Sequence, residues 1–190
     1  MQFLMRRLPG RKTRLLPLAA AFFLALMPAA AAKADSPGLN EQKVKAGLIY
    51  NFLKYTDWHA RAGGSKTLQV CLYGHDPLNE YLLPLQGHTA QQYPIEVVSL
   101  DSLDRATACN LIFVSRAQED NLDALLGAVR GAGILTVSDI SRFSRRGGMI
   151  ELSVQDDQRI HLYVNKAALS AAGLTLQGRI LNLAEEPGQK

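Results

Sequence analysis

The chain has 190 residues, of which 47% are hydrophobic and 20% charged, and its formal net charge is +4. Six of the 21 lysines and arginines lie in residues 1–34, which contain no Asp or Glu, so residues 35–190 keep 15 basic against 17 acidic residues and a net charge of −2. Without a long basic stripe, this balance excludes nucleic-acid binding as the expected function.

Residues 1–34 have the pattern of a secretory signal peptide. A basic start precedes an apolar run from Leu15 to Met27, which is too short to span a bilayer as a helix. Ala32-Lys33-Ala34 matches an A-x-A cleavage site. We therefore predict that the mature protein begins near Asp35, outside the cytoplasm, and that residues 35–190 form one domain.

The first predicted helix begins at Glu41, with Asn40 as its N-cap. Apolar residues at three- and four-residue spacing predict one buried stripe on this helix: Val44, Leu48, Phe52 and Tyr55. Gly63-Gly64-Ser65 then marks a loop, and Asp76-Pro77 has the pattern of a cap followed by proline at the first position of a second helix.

Strands and helices alternate through the first two thirds of the mature chain. The predicted strands are Thr67–Tyr73, Ile95–Leu100, Leu111–Ser115 and Ile134–Val137. A third helix has Glu119 and Asp120 in its first turn and an apolar face made by Leu122, Leu125, Leu126 and Val129. This alternation predicts right-handed crossovers and a mainly parallel sheet.

The last third predicts an antiparallel hairpin, in which Gly147-Gly148 turns into strand Met149–Gln155 and strand Arg159–Val164 returns. A short helix, Lys166–Ala172, follows, and Leu174–Leu183 fits either a strand or a helix. The expected fold is a three-layer α/β domain with a mainly parallel sheet and a C-terminal antiparallel hairpin.

Catalytic motifs are scarce: G-x-S-x-G, H-E-x-x-H, the P-loop and G-x-G-x-x-G are all missing from the sequence. The four histidines lack metal-ligand spacing, so we expect no metal and no cofactor. One constellation follows the parallel strands at their carboxyl ends, where ligands bind in open sheets: His75, Ser115, Ser138 and Asp139. It supports an alternative function as a small-ligand sensor module or an enzyme.

The chain has two cysteines, Cys71 in the first predicted strand and Cys109 at the entrance to the third. Exported chains favour disulfides, and neighbouring strands about 4.8 Å apart bring Cα atoms within disulfide range. The alternative is a pair of buried reduced thiols. We predict the Cys71–Cys109 disulfide.

Several segments, in order and spacing, resemble the YfiR family of periplasmic regulators: Val44–Trp58 with its Lys45-Ala46 start, Cys71–Pro77, Cys109–Ser115, Gly147–Ile150, Arg159–Asn165 and Ala172–Leu174. The resemblance covers about Val44 to Ala184. It departs from the family pattern at His59, where a proline is common, and at Gln177-Gly178, which replaces two serines. Ser144 and Glu151 flank the Gly-Gly turn near which some relatives carry extra cysteines.

The resemblance implies a regulatory protein of the periplasm and no enzyme activity. Such proteins repress an inner-membrane diguanylate cyclase by binding its periplasmic domain, which lowers cyclic-di-GMP and disfavours biofilm. An OmpA-like outer-membrane lipoprotein sequesters them. For this chain, Arg159 and His161, at two-residue spacing in one predicted strand, are candidate partner-binding residues. Their other interpretation is a solvated strand face, and the oligomeric state stays open, a homodimer included.

Overall fold

A computed structural model of the chain describes residues 37–58 and 66–185, without the side chains of residues 37–39. The predicted signal peptide, residues 1–34, lies outside the described residues. So do His59 and the predicted Gly63-Gly64-Ser65 loop.

Helices and strands alternate along the described residues. The α-helices are α1 Pro37–Tyr55, α2 Asn79–Leu82, α3 Leu122–Ala128, α4 Lys166–Ala171 and α5 Gly178–Leu181. The strands are β1 Thr56–Asp57, β2 Leu68–Tyr73, β3 Thr89–Ala90, β4 Tyr93–Leu100, β5 Leu111–Val114, β6 Leu135–Ser138, β7 Ile150–Val154, β8 Ile160–Val164, β9 Thr175–Leu176 and β10 Ala184–Glu185. Turns of 3-10 helix cover Leu83–Leu85, Leu103–Ala108 and Arg116–Asn121.

The main sheet has eight strands in the order β10-β8-β7-β6-β5-β2-β4-β3. Strands β4, β2, β5, β6 and β7 are parallel neighbours, whereas β8 runs antiparallel to β7 and β3 antiparallel to β4. The predicted mainly parallel sheet and its late antiparallel hairpin, β7–β8, are therefore confirmed. Three short pairings were not predicted: β10 beside β8, β3 beside β4 and a separate β1–β9 pair.

Alternate residues of the central strands face two separate apolar cores. Val70 and Leu72 of β2 belong to the first core, which α1, α2, α4 and α5 cover. Cys71 and Tyr73 belong to the second core, which α3 and the turn Leu103–Ala108 cover. Because successive side chains of a strand point to opposite faces, this division produces the expected three-layer arrangement.

The first helix differs from its prediction. It begins at Pro37, so Asn40 lies inside the helix rather than at its cap; proline suits a first turn because its missing N–H has no partner there. Of the predicted stripe, Phe52 is buried, but Val44 is 46% exposed. The other buried residues of the helix are Lys45, Ala46, Ile49 and Leu53. Periodicity predicted the helix, but it placed the buried stripe about one position away.

The second and third helices begin later than predicted. Asp76 Oδ1 accepts a hydrogen bond from Leu78 N at 2.8 Å, which forms a local turn, and α2 begins only at Asn79. Glu119 and Asp120 lie in the 3-10 turn before α3. The ambiguous Leu174–Leu183 segment divides into strand β9 and helix α5.

Candidate functional site

The carboxyl ends of β2, β5 and β6 meet at one edge of the sheet, because these strands are adjacent and parallel. The chain leaves β2 toward β4 and then returns past β2 to β5, so its winding reverses between β2 and β5. That reversal is where open α/β sheets bind ligands. The structure therefore brings the loops that carry His75, Ser115 and Ser138 to this edge, as the sequence predicted.

The space between the ends of β2 and β5 is filled by the protein itself, whereas a cavity of about 320 Å³ remains on the β4 side, lined by Leu72, Gly74, His75, Asn79, Ser99, Leu100, Asp101 and Gln118. Gly74 has φ of +90°, and a Cβ built there would lie 2.5 Å from Ser115 Oγ and 2.6 Å from Gln118 Cγ. Ser115 is fully buried, and its hydroxyl has no hydrogen-bond partner among the described residues. His75, which follows Gly74 in the chain, is exposed. Only a glycine permits this close approach.

Ser138 has a structural environment. Its Oγ donates to the carbonyl of Val114 on the neighbouring strand at 2.7 Å and accepts from Ile140 N at 3.0 Å. The hydroxyl thus uses its proton and one lone pair to link the end of β6 to β5 and to the following turn. No nucleophilic role is indicated for this serine, because no described histidine approaches it as a base.

Asp139 forms the principal ion pair of this edge. Its Oδ2 lies 2.7 Å from Lys45 Nζ, and Lys45 also lies 2.6 Å from the carboxylate of Glu41, one turn earlier on α1. Arg116 Nε donates to the Asp139 carbonyl at 3.1 Å and lies 3.4 Å from its Oδ1. Lys45 is 1% exposed and Asp139 8% exposed, so the pair connects α1 to the sheet inside the protein.

Lys45 is the residue that sequence reasoning missed as a functional group. It occurs in the Lys45-Ala46 start of the first family segment, but the helical period alone marks it as one of several polar positions on α1. The available signal was Glu41 at the i−4 position, a spacing that stabilises a helical ion pair. That signal is equally common on solvated helices, so only the fold shows that Lys45 is buried.

Asp76 completes the charged edge. Burial raises the pKa of the Asp76 carboxyl above its ordinary value of 3.8. The hydrogen bond from Leu78 N lowers that pKa, and the nearby Asp139 carboxylate raises it. The cations Lys45 and Arg116 oppose the rise with smaller effects. The edge is therefore a compact arrangement of charged groups, in which Lys45 and Arg116 lie close to Asp139.

The predicted disulfide is present. Cys71 and Cys109 are bonded, with Cα atoms 5.9 Å apart, and both lie fully buried in the second core. The register explains the contact: β2 and β5 are direct neighbours, with Val70 opposite Leu111. The bond joins β2 to the chain that enters β5.

The two candidate partner-binding residues have different surroundings. Arg159 is exposed and directly precedes β8, and its carbonyl accepts a hydrogen bond from Gln155 N at 3.3 Å; a strand face shared with His161 stays a prediction. His161 lies within β8, with its Nδ1 2.9 Å from Glu185 Oε1 and its Nε2 3.3 Å from Asp157 Oδ2. The Glu185 hydrogen bond, with a smaller contribution from Asp157, raises the pKa of His161 above 6.5.

The sequence of this chain matches one known protein family. The sequence profile of the YfiR/HmsC-like family matches residues 42–185, a range that includes every strand of the eight-stranded sheet. The chain belongs to the YfiR/HmsC-like family. That family is periplasmic, and it is regulatory rather than catalytic.

A solved structure shares the fold. It is a conserved domain protein from Vibrio cholerae O1 biovar eltor strain N16961, with a TM-score of 0.54 and 14% sequence identity. The likeness covers 76% of this chain and 59% of the Vibrio chain, so this chain spans less than two thirds of that protein. At this identity the likeness shows the fold alone. No curated protein matches the sequence.

Hydrogen bonds to the Glu151 carboxylate fix the loop before the Gly-Gly turn. Glu151, buried on β7, accepts hydrogen bonds from Ser144 N at 3.1 Å, from Ser144 Oγ at 2.7 Å and from Arg142 N at 3.0 Å. Ser144 and Glu151 therefore form a polar link beside the Gly-Gly turn. The link fixes the loop that precedes the hairpin to the first strand of that hairpin.

Two further findings concern residues 37–58 and 66–185. No helix there is long and apolar enough to cross a membrane. No group of three or more His, Cys, Asp or Glu side chains in these ranges is arranged to hold a metal ion.

Proposed function

We propose that this protein represses an inner-membrane diguanylate cyclase by binding the cyclase's periplasmic domain, and that it thereby lowers cyclic-di-GMP signalling. The observation that carries the proposal is the match of residues 42–185 to the YfiR/HmsC-like family. The signal-peptide pattern of residues 1–34 supports a periplasmic location. An OmpA-like outer-membrane lipoprotein is the proposed antagonist, which releases the cyclase by sequestering this protein.

The geometry of the sheet supports a binding role over a catalytic one. The alternative function, a small-ligand sensor or an enzyme at the carboxyl edge, needs a cavity lined by the predicted groups, but the cavity of about 320 Å³ at this edge is lined by His75 and by none of Ser115, Ser138 and Asp139. Instead, Ser115 and Gln118 contact Gly74, and Ser138 bonds to neighbouring backbone. The exposed polar groups of the β7–β8 hairpin are better placed to meet a protein partner.

Deletion of the gene, with its neighbours left intact, tests the proposal. Intracellular cyclic-di-GMP and surface attachment should both rise, and both should return to wild-type levels when the exported protein is supplied in trans. Unchanged levels in cells that express both this protein and a candidate cyclase would refute repression.

A second complementation separates the periplasmic mechanism from a cytoplasmic one. A copy that lacks residues 1–34 should stay in the cytoplasm and fail to restore repression. Restoration by that copy would contradict binding to a periplasmic domain, even if the deletion phenotype is as expected.

The alternative function has its own measurement. A small ligand that binds the native fold raises the melting temperature, and the stabilisation grows with the logarithm of its concentration once that exceeds Kd. We expect no rise with a broad set of periplasmic metabolites. A reproducible rise that Ser115→Ala or Asp139→Asn removes would favour the sensor alternative.

A further inference from the structure

A groove lies between the first half of α1 and the tip of the β7–β8 hairpin. Its volume is about 550 Å³, and its lining residues are Asn40, Glu41, Val44, Leu48, Val154, Gln158, Arg159 and Ile160. It is separate from the carboxyl edge described above, since none of His75, Ser115, Ser138 or Asp139 lines it. The groove joins the helix that carries Lys45 to the hairpin that carries Arg159.

The floor of the groove is apolar and only partly covered. Val44 is 46% exposed, and Leu48, one turn later on the same helix face, is half-buried. Val154 and Ile160 are a directly opposed cross-strand pair, and both are also half-buried. Four aliphatic side chains from three elements, α1, β7 and β8, thus line one groove that stays open among the described residues.

The charges around the patch differ in their availability. The carboxylate of Glu41 is already occupied by Lys45 Nζ at 2.6 Å. The exposed Arg159 has no carboxylate of the described residues within ion-pair distance of its guanidinium; Asp157, the nearest in sequence, accepts from the Arg159 backbone N–H at 3.0 Å and contacts His161. The groove therefore offers one available positive charge beside an apolar floor.

Resting on the proposed function, we propose that this groove is the docking site for the cyclase's periplasmic domain, and that it receives an amphipathic helix with a carboxylate beside its apolar face. An amphipathic helix binds a hydrophobic groove by laying its apolar face, made by residues at i, i+3 and i+4, against the floor of the groove. The occupant's Asp or Glu pairs with Arg159, whose planar guanidinium suits carboxylate recognition. Buried aliphatic contacts with one arginine are typical of energetically dominant interface residues.

The test measures binding of the exported protein to each full-length membrane diguanylate cyclase of the source organism, one at a time, in detergent micelles. Three variants are compared with wild type: Val44→Asp in the groove floor, Arg159→Glu at its rim, and Leu83→Asp as a matched control. Leu83 is 52% exposed and lies outside the groove, in the turn after α2.

We expect wild type to bind one cyclase and inhibit its synthesis of cyclic-di-GMP. Val44→Asp and Arg159→Glu should each raise the Kd about tenfold or more, whereas Leu83→Asp should stay within about twofold. Changing the occupant's acidic residue to Lys should restore affinity for Arg159→Glu. If Val44→Asp lowers the melting temperature, Arg159→Glu still tests the site, because that side chain lies outside both cores.

Each other outcome overturns the inference. If wild type binds a cyclase and both groove variants bind as tightly, the groove is not the docking site, although the proposed function stands. If wild type binds no cyclase, the proposed function and this inference fall together. If Val44→Asp only converts a homodimer into monomers and leaves cyclase binding unchanged, the groove is instead a self-association surface.

Discussion

The middle of the sheet and its hairpin end are built from different kinds of contact. Every residue of β5 and β6 is buried, and the middle is held by a disulfide and by the enclosed pair Lys45–Asp139. At the other end, β8 is largely half-buried and its polar groups pair at the surface, as His161 does with Glu185. The buried contacts of the middle stabilise the fold. The surface ion pairs of the hairpin end can be replaced by contacts with a partner at little cost in stability.

The largest expected effect concerns the enclosed ion pair. Lys45→Met should lower the free energy of unfolding by about 3–5 kcal/mol, because it leaves the Asp139 carboxylate buried without its principal cation. Denaturant unfolding measures this loss. Lys54→Met, an exposed position on the same helix, is the control; it removes only the cation–π contacts with Tyr50 and Tyr55 and should cost no more than about 1 kcal/mol.

A double variant sharpens the same point. Combining Lys45→Met with Asp139→Leu should recover much of the loss, since no uncompensated charge then stays buried. If the double variant is no more stable than Lys45→Met alone, packing rather than charge explains the effect at this position.

The Cys71–Cys109 disulfide is the second contact that stabilises the middle of the sheet. Replacing Cys71 and Cys109 with serine should cost about 2–4 kcal/mol, because the bond closes a loop with a sequence separation of 38 residues in the unfolded chain. Thiol labelling of denatured, unreduced wild-type protein should find no free thiol. Two labelled thiols per chain would contradict the bond in the exported protein.

Gly148 lies where the middle passes into the hairpin. A Cβ on Gly148 would lie 2.2 Å from the ring of Phe143, which is fully buried, so Gly148→Ala should destabilise the protein by about 1–3 kcal/mol. The control is Gly127→Ala in α3, where nothing lies within 4 Å of the new Cβ and the helix should gain up to about 1 kcal/mol. Similar melting temperatures for the two variants would contradict the tight contact.

The hairpin end should respond to pH with the smallest effect. Because Glu185 and Asp157 raise the pKa of His161, protonated His161 stabilises the fold fully below its ordinary pKa of 6.5. This contribution is lost as the pH rises through the higher folded pKa. The melting-temperature difference between wild type and His161→Gln should therefore shrink as the pH rises from about 6. A difference that grows over that range would contradict the ion pairs.

Sequence patterns predicted the layers of the fold better than the details of the edges. Apolar runs marked β5 and β6, and the cysteines, one in β2 and one before β5, correctly indicated neighbouring strands. The two-residue strands β1, β3 and β10 were missed, because so short a segment carries no readable period. β3 and β10 pair with the backbone of the outermost long strands, β4 and β8, so their positions depend on the assembled sheet.

The candidate site was predicted only in part. Parallel topology brought Ser115, Ser138 and Asp139 to one edge, but it does not determine whether side chains there leave a cavity. The close approach of Ser115 to Gly74 and the entry of Lys45 from α1 are tertiary contacts between distant segments. Likewise, Val44 became part of an exposed groove because α1 is rotated by about one position from the predicted stripe.

With two cysteines, only one intramolecular pairing exists, so oxidative maturation of an exported chain has no wrong connectivity to correct. In a chain that crosses the membrane from its N-terminus, Cys71 emerges before β3 and β4, and Cys109 emerges after them. The disulfide can therefore form only once these strands have crossed. A simple thiol oxidant then suffices, and no disulfide isomerase is required. A cell that lacks its isomerase but keeps its oxidant should therefore accumulate this protein normally.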